Sequence, residues 1–120
     1  MYDSTPLDDL IALLIGRGLE SFDAFERGDL QAQHRISDET YAIGTAIVAR
    51  GAGGAAALRP LLEDPRDGVR LLGAAWLVKL DPALAAPVLE RLKREAGGAI
   101  AANANLALMQ ARDNGLLPAG

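Results

Sequence analysis

The sequence predicts an all-α domain in which three antiparallel helix pairs stack side by side. Apolar residues recur at helical spacing in six segments, and glycine, proline or a capping aspartate marks the ends of these segments. The second half also repeats, because residues 69–77 align with residues 99–107 at an offset of 30 residues. One helix pair cannot bury its apolar face alone, so the pairs are expected to stack.

The caps define the first helix pair. Thr5 and Pro6 provide a hydroxyl cap and a proline at the start of the first helix, and Gly28 follows its last turn. Asp29 is then the predicted cap of a second helix that extends to residue 51. The predicted buried residues are Leu7, Ile11, Leu14, Gly18, Phe22 and Phe25 in the first helix, and Ile36, Ile43 and Ile47 in the second.

Four further helices follow in the predicted order. A short third helix covers residues 55–63, and the Asp64-Pro65 pair begins a fourth helix with apolar residues on two faces. Asp81 caps a fifth helix that ends at residues 96–98, and a sixth spans residues 99–112. We therefore expect a single domain over residues 1–115 and a frayed tail over residues 116–120.

Composition and charge exclude several classes of protein. The chain contains no cysteine, which excludes a disulfide-stapled fold and a thiolate zinc site and favours the cytoplasm. Its longest early apolar run, residues 10–15, is far shorter than the ~20 residues of a membrane span. Residues 1–45 hold nine acidic and three basic residues, a net charge of −6. This charge disfavours nucleic acid and favours a basic partner.

The single histidine is the first candidate for chemistry. His34, Ser37, Asp38 and Tyr41 lie on one helical face and include the residue types of a base, a hydroxyl nucleophile and an orienting carboxylate. Exposed side chains along a regular helix provide no oxyanion hole, so a polar groove is the preferred interpretation. An enzyme that uses His34 remains an alternative, but no catalytic activity is predicted.

No cofactor or metal site is predicted. Asp8, Asp9, Asp64 and Asp67 are the only acidic pairs that suggest a metal, and their positions at helix starts explain them. The glycine cluster of residues 51–54 lacks the Gly-Lys-Ser/Thr ending of a phosphate-binding loop, so it indicates a helix break.

The pattern of residues 61–65, followed by Val69-Arg70 and by the spacing of Gly73 and Trp76, resembles a HEAT repeat. Residues 29–51, the leucines around Pro60, and residues 64–80 together resemble a family of small bacterial HEAT-like domains known as a domain of unknown function. The resemblance implies a short α-α superhelix of the armadillo/HEAT type. For some members it also implies an immunity protein that neutralises a co-encoded toxin.

In stacked helix pairs the second helices line the inner surface, which is the usual binding face. We therefore predict that a protein or peptide binds non-catalytically along a polar stripe across helices two, four and six. Trp76 is expected in the core, with partial exposure to this groove as the alternative. Self-association through Leu71 and Val78 also remains open. The predicted binding residues are His34, Asp38, Tyr41, Arg70, Asn103 and Gln110.

Overall fold

A computed structural model describes residues 2–119, and these residues form six α-helices and one 3-10 helix, with no strand. The predicted all-α fold is therefore confirmed. The elements are α1 (Leu7–Glu26), α2 (Leu30–Val48), α3 (Ala52–Leu58), the 3-10 helix (Arg59–Glu63), α4 (Asp67–Leu77), α5 (Pro82–Glu95) and α6 (Gly98–Asp113).

The helices form the three predicted pairs, with α4 at the centre. α1 pairs with α2, α3 and the 3-10 helix pair with α4, and α5 pairs with α6. α4 contacts every other helix, and six of its eleven residues are buried. α1 also contacts α6, so the outer pairs meet directly and the molecule is rounded, with extents of 37 × 36 × 27 Å.

The core is a single cluster of aliphatic side chains to which all six α-helices contribute. Within each helix the core residues are mostly three or four positions apart, because residues at this spacing share one face of the helix. Burial of each large aliphatic side chain contributes about 1.5–3 kcal/mol before entropy is counted. The largest fully buried side chains are Leu10, Leu14, Ile43, Ile47, Leu58, Val69, Leu77, Leu89 and Leu108.

Two of the four predicted side-chain caps are present, and the one expected at Asp64 is absent because Arg66 occupies the N-cap position of α4. Asp29 accepts a hydrogen bond from the backbone N–H of Ala32 at 3.1 Å, and Asp81 accepts one from Leu84 at 3.3 Å. The prediction that Thr5 caps α1 is wrong. Pro6 itself occupies the N-cap position with an extended ψ of 145°, and no side chain caps this end.

Prolines determine where α3 ends and where α4 begins. The third helix begins at Ala52 and changes to 3-10 geometry at Arg59, because Pro60 has no N–H for the α-helical hydrogen bond. α4 begins at Asp67 because Pro65 holds the residue before it, Asp64, in an extended conformation with ψ of 139°.

The segment after α6 folds back onto the core. Gly115 has a φ of +75°, its N–H donates to the carbonyl of Arg112, and the N–H of Leu116 donates to that of Ala111 at 2.8 Å. This pattern is a Schellman motif, which turns the chain and buries the apolar residue that follows. Leu116 and Leu117 are half-buried against the core, where the sequence predicted a frayed tail. Gly120 lies outside the described residues.

Candidate functional site

A groove of about 230 Å³ lies between α1, α2, α4 and α6. α1 and α2 form one wall, α6 forms the other, and α4 lies between them. The lining residues on each helix are three or four positions apart, so each helix turns one face toward the groove. They are Gly18, Ser21, Phe22, Phe25, Gln33, Ser37, Thr40, Tyr41, Leu71, Leu72, Ala75, Trp76, Asn103, Leu106, Ala107 and Gln110.

Aromatic side chains concentrate in this groove. The whole chain has five aromatic residues, and Phe22, Phe25, Tyr41 and Trp76 all line it. Phe25 is 51% exposed and Tyr41 is 64% exposed, so both stand at the rim. Leu106 on α6 is 49% exposed on the opposite wall. The groove therefore presents large apolar side chains to solvent from both walls.

Trp76 is held in place by a close approach of α2 and α4. Its ring packs against Gly44, where any Cβ would overlap the indole. Tyr41 meets the indole edge to face, with ring centroids 5.5 Å apart and an interplanar angle of 62°. The Nζ of Lys79 lies 5.8 Å from the indole centroid. Trp76 is half-buried and belongs to both the core and the groove.

The groove continues past the Tyr41–Trp76 pair into a second compartment of about 160 Å³. Tyr41, Trp76 and Gln110 line both compartments, and Leu116 from the folded-back tail lies in the second one. Along α6 and its C-cap residue, the lining residues run from Asn103 to Asn114. Eleven helical steps correspond to about 16 Å, so the two compartments form a linear site of that length.

The polar groups of the groove belong mainly to α2. The hydroxyls of Ser21 and Ser37 are 2.8 Å apart, and the Nε2 of Gln33 donates to the Ser37 hydroxyl at 3.0 Å. Thr40 donates to the carbonyl of Ile36 at 2.8 Å. Among residues 2–119, no charged side chain lines the main compartment. The expected polar groove is therefore an uncharged one with hydroxyl and amide groups between aromatic rings.

Charged side chains lie just outside the lining. Glu26 follows Phe25 on α1, Asp38 lies one turn before Tyr41 on α2, and Asp113 lies one turn after Gln110 on α6. All three are exposed, and none forms an ion pair within the described part of the chain. We call Glu26, Asp38 and Asp113 the acidic rim.

The structure brings together only part of the predicted binding stripe. Tyr41, Asn103 and Gln110 line the groove. His34 and Asp38 are exposed on α2 beside the groove and do not line it.

Arg70 lies elsewhere, in a separate cleft of about 600 Å³ between the 3-10 helix, α4 and α5. There it pairs with Asp67 and donates to the carbonyl of Asp64 at 3.0 Å. Arg91 in the same cleft pairs with Glu95 at 2.9 Å. Most charges of this cleft are therefore neutralised internally, and Arg70 does not belong to the stripe that contains Tyr41.

The geometry gives His34 no catalytic neighbours. The Ser37 hydroxyl interacts with Ser21 and Gln33, and the imidazole of His34 has no hydrogen bond among residues 2–119. In the same residues no group of three or more potential ligands is arranged to hold a metal ion. No helix between residues 2 and 119 combines the length and apolar character needed to cross a membrane.

Sequence reasoning missed Phe22, Phe25 and Leu106 as groove residues. Helical spacing assigned both phenylalanines to a buried face, and α6 was assigned only its polar residues. The sequence did contain a signal for this surface: aromatic residues are scarce in the chain, and two of them lie close together on α1. Exposed aromatic rings are unfavourable in water, so a cluster of them indicates a binding surface.

One solved structure shares this arrangement of helices. The crystal structure of the protein RPA1889 from Rhodopseudomonas palustris CGA009 superimposes with a TM-score of 0.82 at 24% sequence identity, covering 99% of this chain and 98% of that one. No protein-family model matches the chain, and no curated protein matches it in sequence. At this identity the likeness shows a common fold and assigns no activity.

Proposed function

We propose that this protein is a non-catalytic binding module that holds a segment of another protein in the groove between α1, α2, α4 and α6. The observation that supports this function is the collection of four of the chain's five aromatic residues in one groove. Aromatic residues are enriched at protein interfaces, where a few buried rings contribute most of the binding energy.

The size of the groove favours a protein segment over a small molecule. Small-molecule sites usually enclose about 300–1,000 Å³ in one pocket, whereas this site is divided into two open compartments of about 230 and 160 Å³. Shallow compartments of this kind suit individual side chains of a partner. Phe25, Tyr41 and Leu106 would lose water contact when those side chains bind.

An immunity protein is one case of such a module, in which the bound partner is a co-encoded toxin. The three stacked pairs support the HEAT-like classification, and the absence of cysteine suits a module that works in the cytoplasm. An enzyme that uses His34 is the weaker alternative, since His34 lies outside the groove.

Site-specific photo-crosslinking in native cells tests the proposal. A photoreactive phenylalanine analogue replaces Leu106 in the groove, and a matched variant carries it at Leu84. Leu84 is similarly exposed, at 42%, and lies on α5 outside the groove. We expect a discrete protein adduct from position 106 and none of the same mass from position 84.

Adducts of equal yield at both positions, or the absence of any protein adduct at position 106, would contradict the proposal. A third variant with Tyr41→Ala added to the position 106 label checks specificity. Removal of the neighbouring ring should lower the adduct yield severalfold, whereas Leu13→Ala, outside the groove on α1, should leave it unchanged.

A further inference from the structure

We infer that the groove binds an amphipathic helix of about three turns, whose apolar stripe enters the groove and whose flanking positions carry lysine or arginine. This inference rests on the proposed function and adds the conformation and charge of the partner segment. Three features of the groove support it: its linear shape, its helical walls and its acidic rim.

The linear shape fits a helix laid along α6. Asn103, Leu106, Ala107, Gln110 and Asn114 occupy one face of α6 over about 16 Å, which equals three helical turns. On the floor, Leu72 and Trp76 are one turn apart on α4. Anchors at positions i, i+3, i+4 and i+7 of a partner helix can therefore pack between these rows of side chains.

The helical walls disfavour a partner in the β-strand conformation. A strand binds strongly when its backbone N–H and C=O groups pair with an open sheet edge. Residues 2–119 contain no strand, and the groove walls are helices whose backbone groups are bonded internally. A bound helix satisfies its own backbone hydrogen bonds, so it loses none of them in a groove lined by side chains.

The acidic rim selects a cationic partner. Glu26, Asp38 and Asp113 lie beside lining residues of α1, α2 and α6 without ion pairs in the described residues, and the lining of the main compartment is uncharged. Lys79 lines the second compartment, where its Nζ lies over Trp76. Lysine or arginine beside the apolar stripe would meet the rim carboxylates and accelerate association. A second copy of this chain has a net charge of −4 and the same acidic rim, so it fits poorly.

Three synthetic peptides test the inference on the intact chain. Each has about 14 residues, with leucine at helical stripe positions. One has lysine beside the stripe, one has glutamate there, and one is the lysine peptide with two central prolines. Binding is followed by the fluorescence of Trp76, the only tryptophan. We expect the lysine helix to bind at least tenfold more tightly than either of the other peptides at low salt.

Variants of the acidic rim test whether its carboxylates cause the preference for the lysine peptide. The triple change Glu26→Gln, Asp38→Asn and Asp113→Asn should weaken binding of the lysine helix at least fivefold and reduce its salt dependence. A charge-matched control, Asp3→Asn with Asp8→Asn and Asp9→Asn, alters carboxylates in and before the first turn of α1 and should change the affinity less than twofold. Circular dichroism of each variant confirms that the helices are retained.

Equal affinity for the lysine and glutamate peptides would contradict the inference that the partner is cationic. Equal affinity for the lysine peptide with and without the two prolines would contradict the inference that the partner is helical. Concentration-dependent dimerisation that the Leu106→Ala change abolishes would assign the groove to a second copy and also overturn the inference. If position 106 crosslinks a protein in cells but no helical peptide binds, the proposed function stands and this inference fails.

Discussion

Gly54 provides a stringent test of the packing between α2 and α3. It is buried on α3, and a Cβ added there would overlap the carbonyl oxygen of Ile47 and lie 3.0 Å from its carbonyl carbon. That oxygen accepts the N–H of Arg50 at the end of α2, so it cannot swing aside as a flexible side chain can. The change Gly54→Ala should therefore force the two helices apart.

The neighbouring glycine provides a matched control. Gly53 is exposed on the same helix, and a Cβ there would lie 3.5 Å from the Cδ1 of Leu7, an ordinary contact. Helix propensity favours alanine by about 1 kcal/mol at either position. Overpacking against backbone costs about 3 kcal/mol, the upper part of the usual range, so Gly54→Ala should lose about 2 kcal/mol.

Thermal unfolding followed by circular dichroism measures both variants. At about 4 °C per kcal/mol for a domain of this size, Gly54→Ala should lower the Tm by about 8 °C and Gly53→Ala should raise it by about 4 °C. Changes of the same sign and size in the two variants would refute the packing argument, because propensity alone predicts the same effect at both positions.

Three further predictions concern local interactions. Asp29→Ala should reduce the free energy of unfolding by about 1 kcal/mol, and Asp29→Asn by only a few tenths, as urea denaturation would show. The hydrogen bond from the Arg66 side chain holds the pKa of Asp64 below its ordinary value. This interaction therefore stabilises the fold above the unfolded-state pKa, and the stabilisation is lost as the pH falls through the folded-state pKa. In an NMR titration, Arg66→Ala should raise the Asp64 pKa, and an unchanged value would contradict the assignment. Gly44→Ala should displace the Trp76 ring, shift its emission and weaken binding of the lysine helix; unaltered emission would refute the close approach.

The fold was largely predictable because its signals are local. Asp29 and Asp81 cap helices through N–H groups three residues ahead, a contact set by the immediate sequence. The prediction for Thr5 was wrong because the adjacent Pro6 already has the extended backbone of the N-cap residue. Thr5 precedes that position and is too far from the first turn of α1 to cap it. The return of Leu116 to the core could have been predicted from Gly115, because a glycine in the left-handed conformation is typical of a helix end.

The site was less predictable because spacing identifies a helical face but not what covers it. The stripe that contains Phe22 and Phe25 was assigned to the core, yet Phe25 lines the groove between α1 and α6 and is half exposed. Arg70 was assigned to the same stripe as Tyr41. The rotation of α4 about its axis turns Trp76 to the groove and Arg70 to the opposite cleft, and long-range packing determines that rotation.

The most direct test of the binding groove is the affinity of the protein captured at position 106 for two matched variants. Tyr41 and Leu13 are both exposed, and only Tyr41 lines the groove. Tyr41→Ala should raise the Kd at least tenfold, which corresponds to about 1.4 kcal/mol, while Leu13→Ala should change it less than twofold. Equal Kd values for the two variants would contradict the assignment of this groove as the binding site.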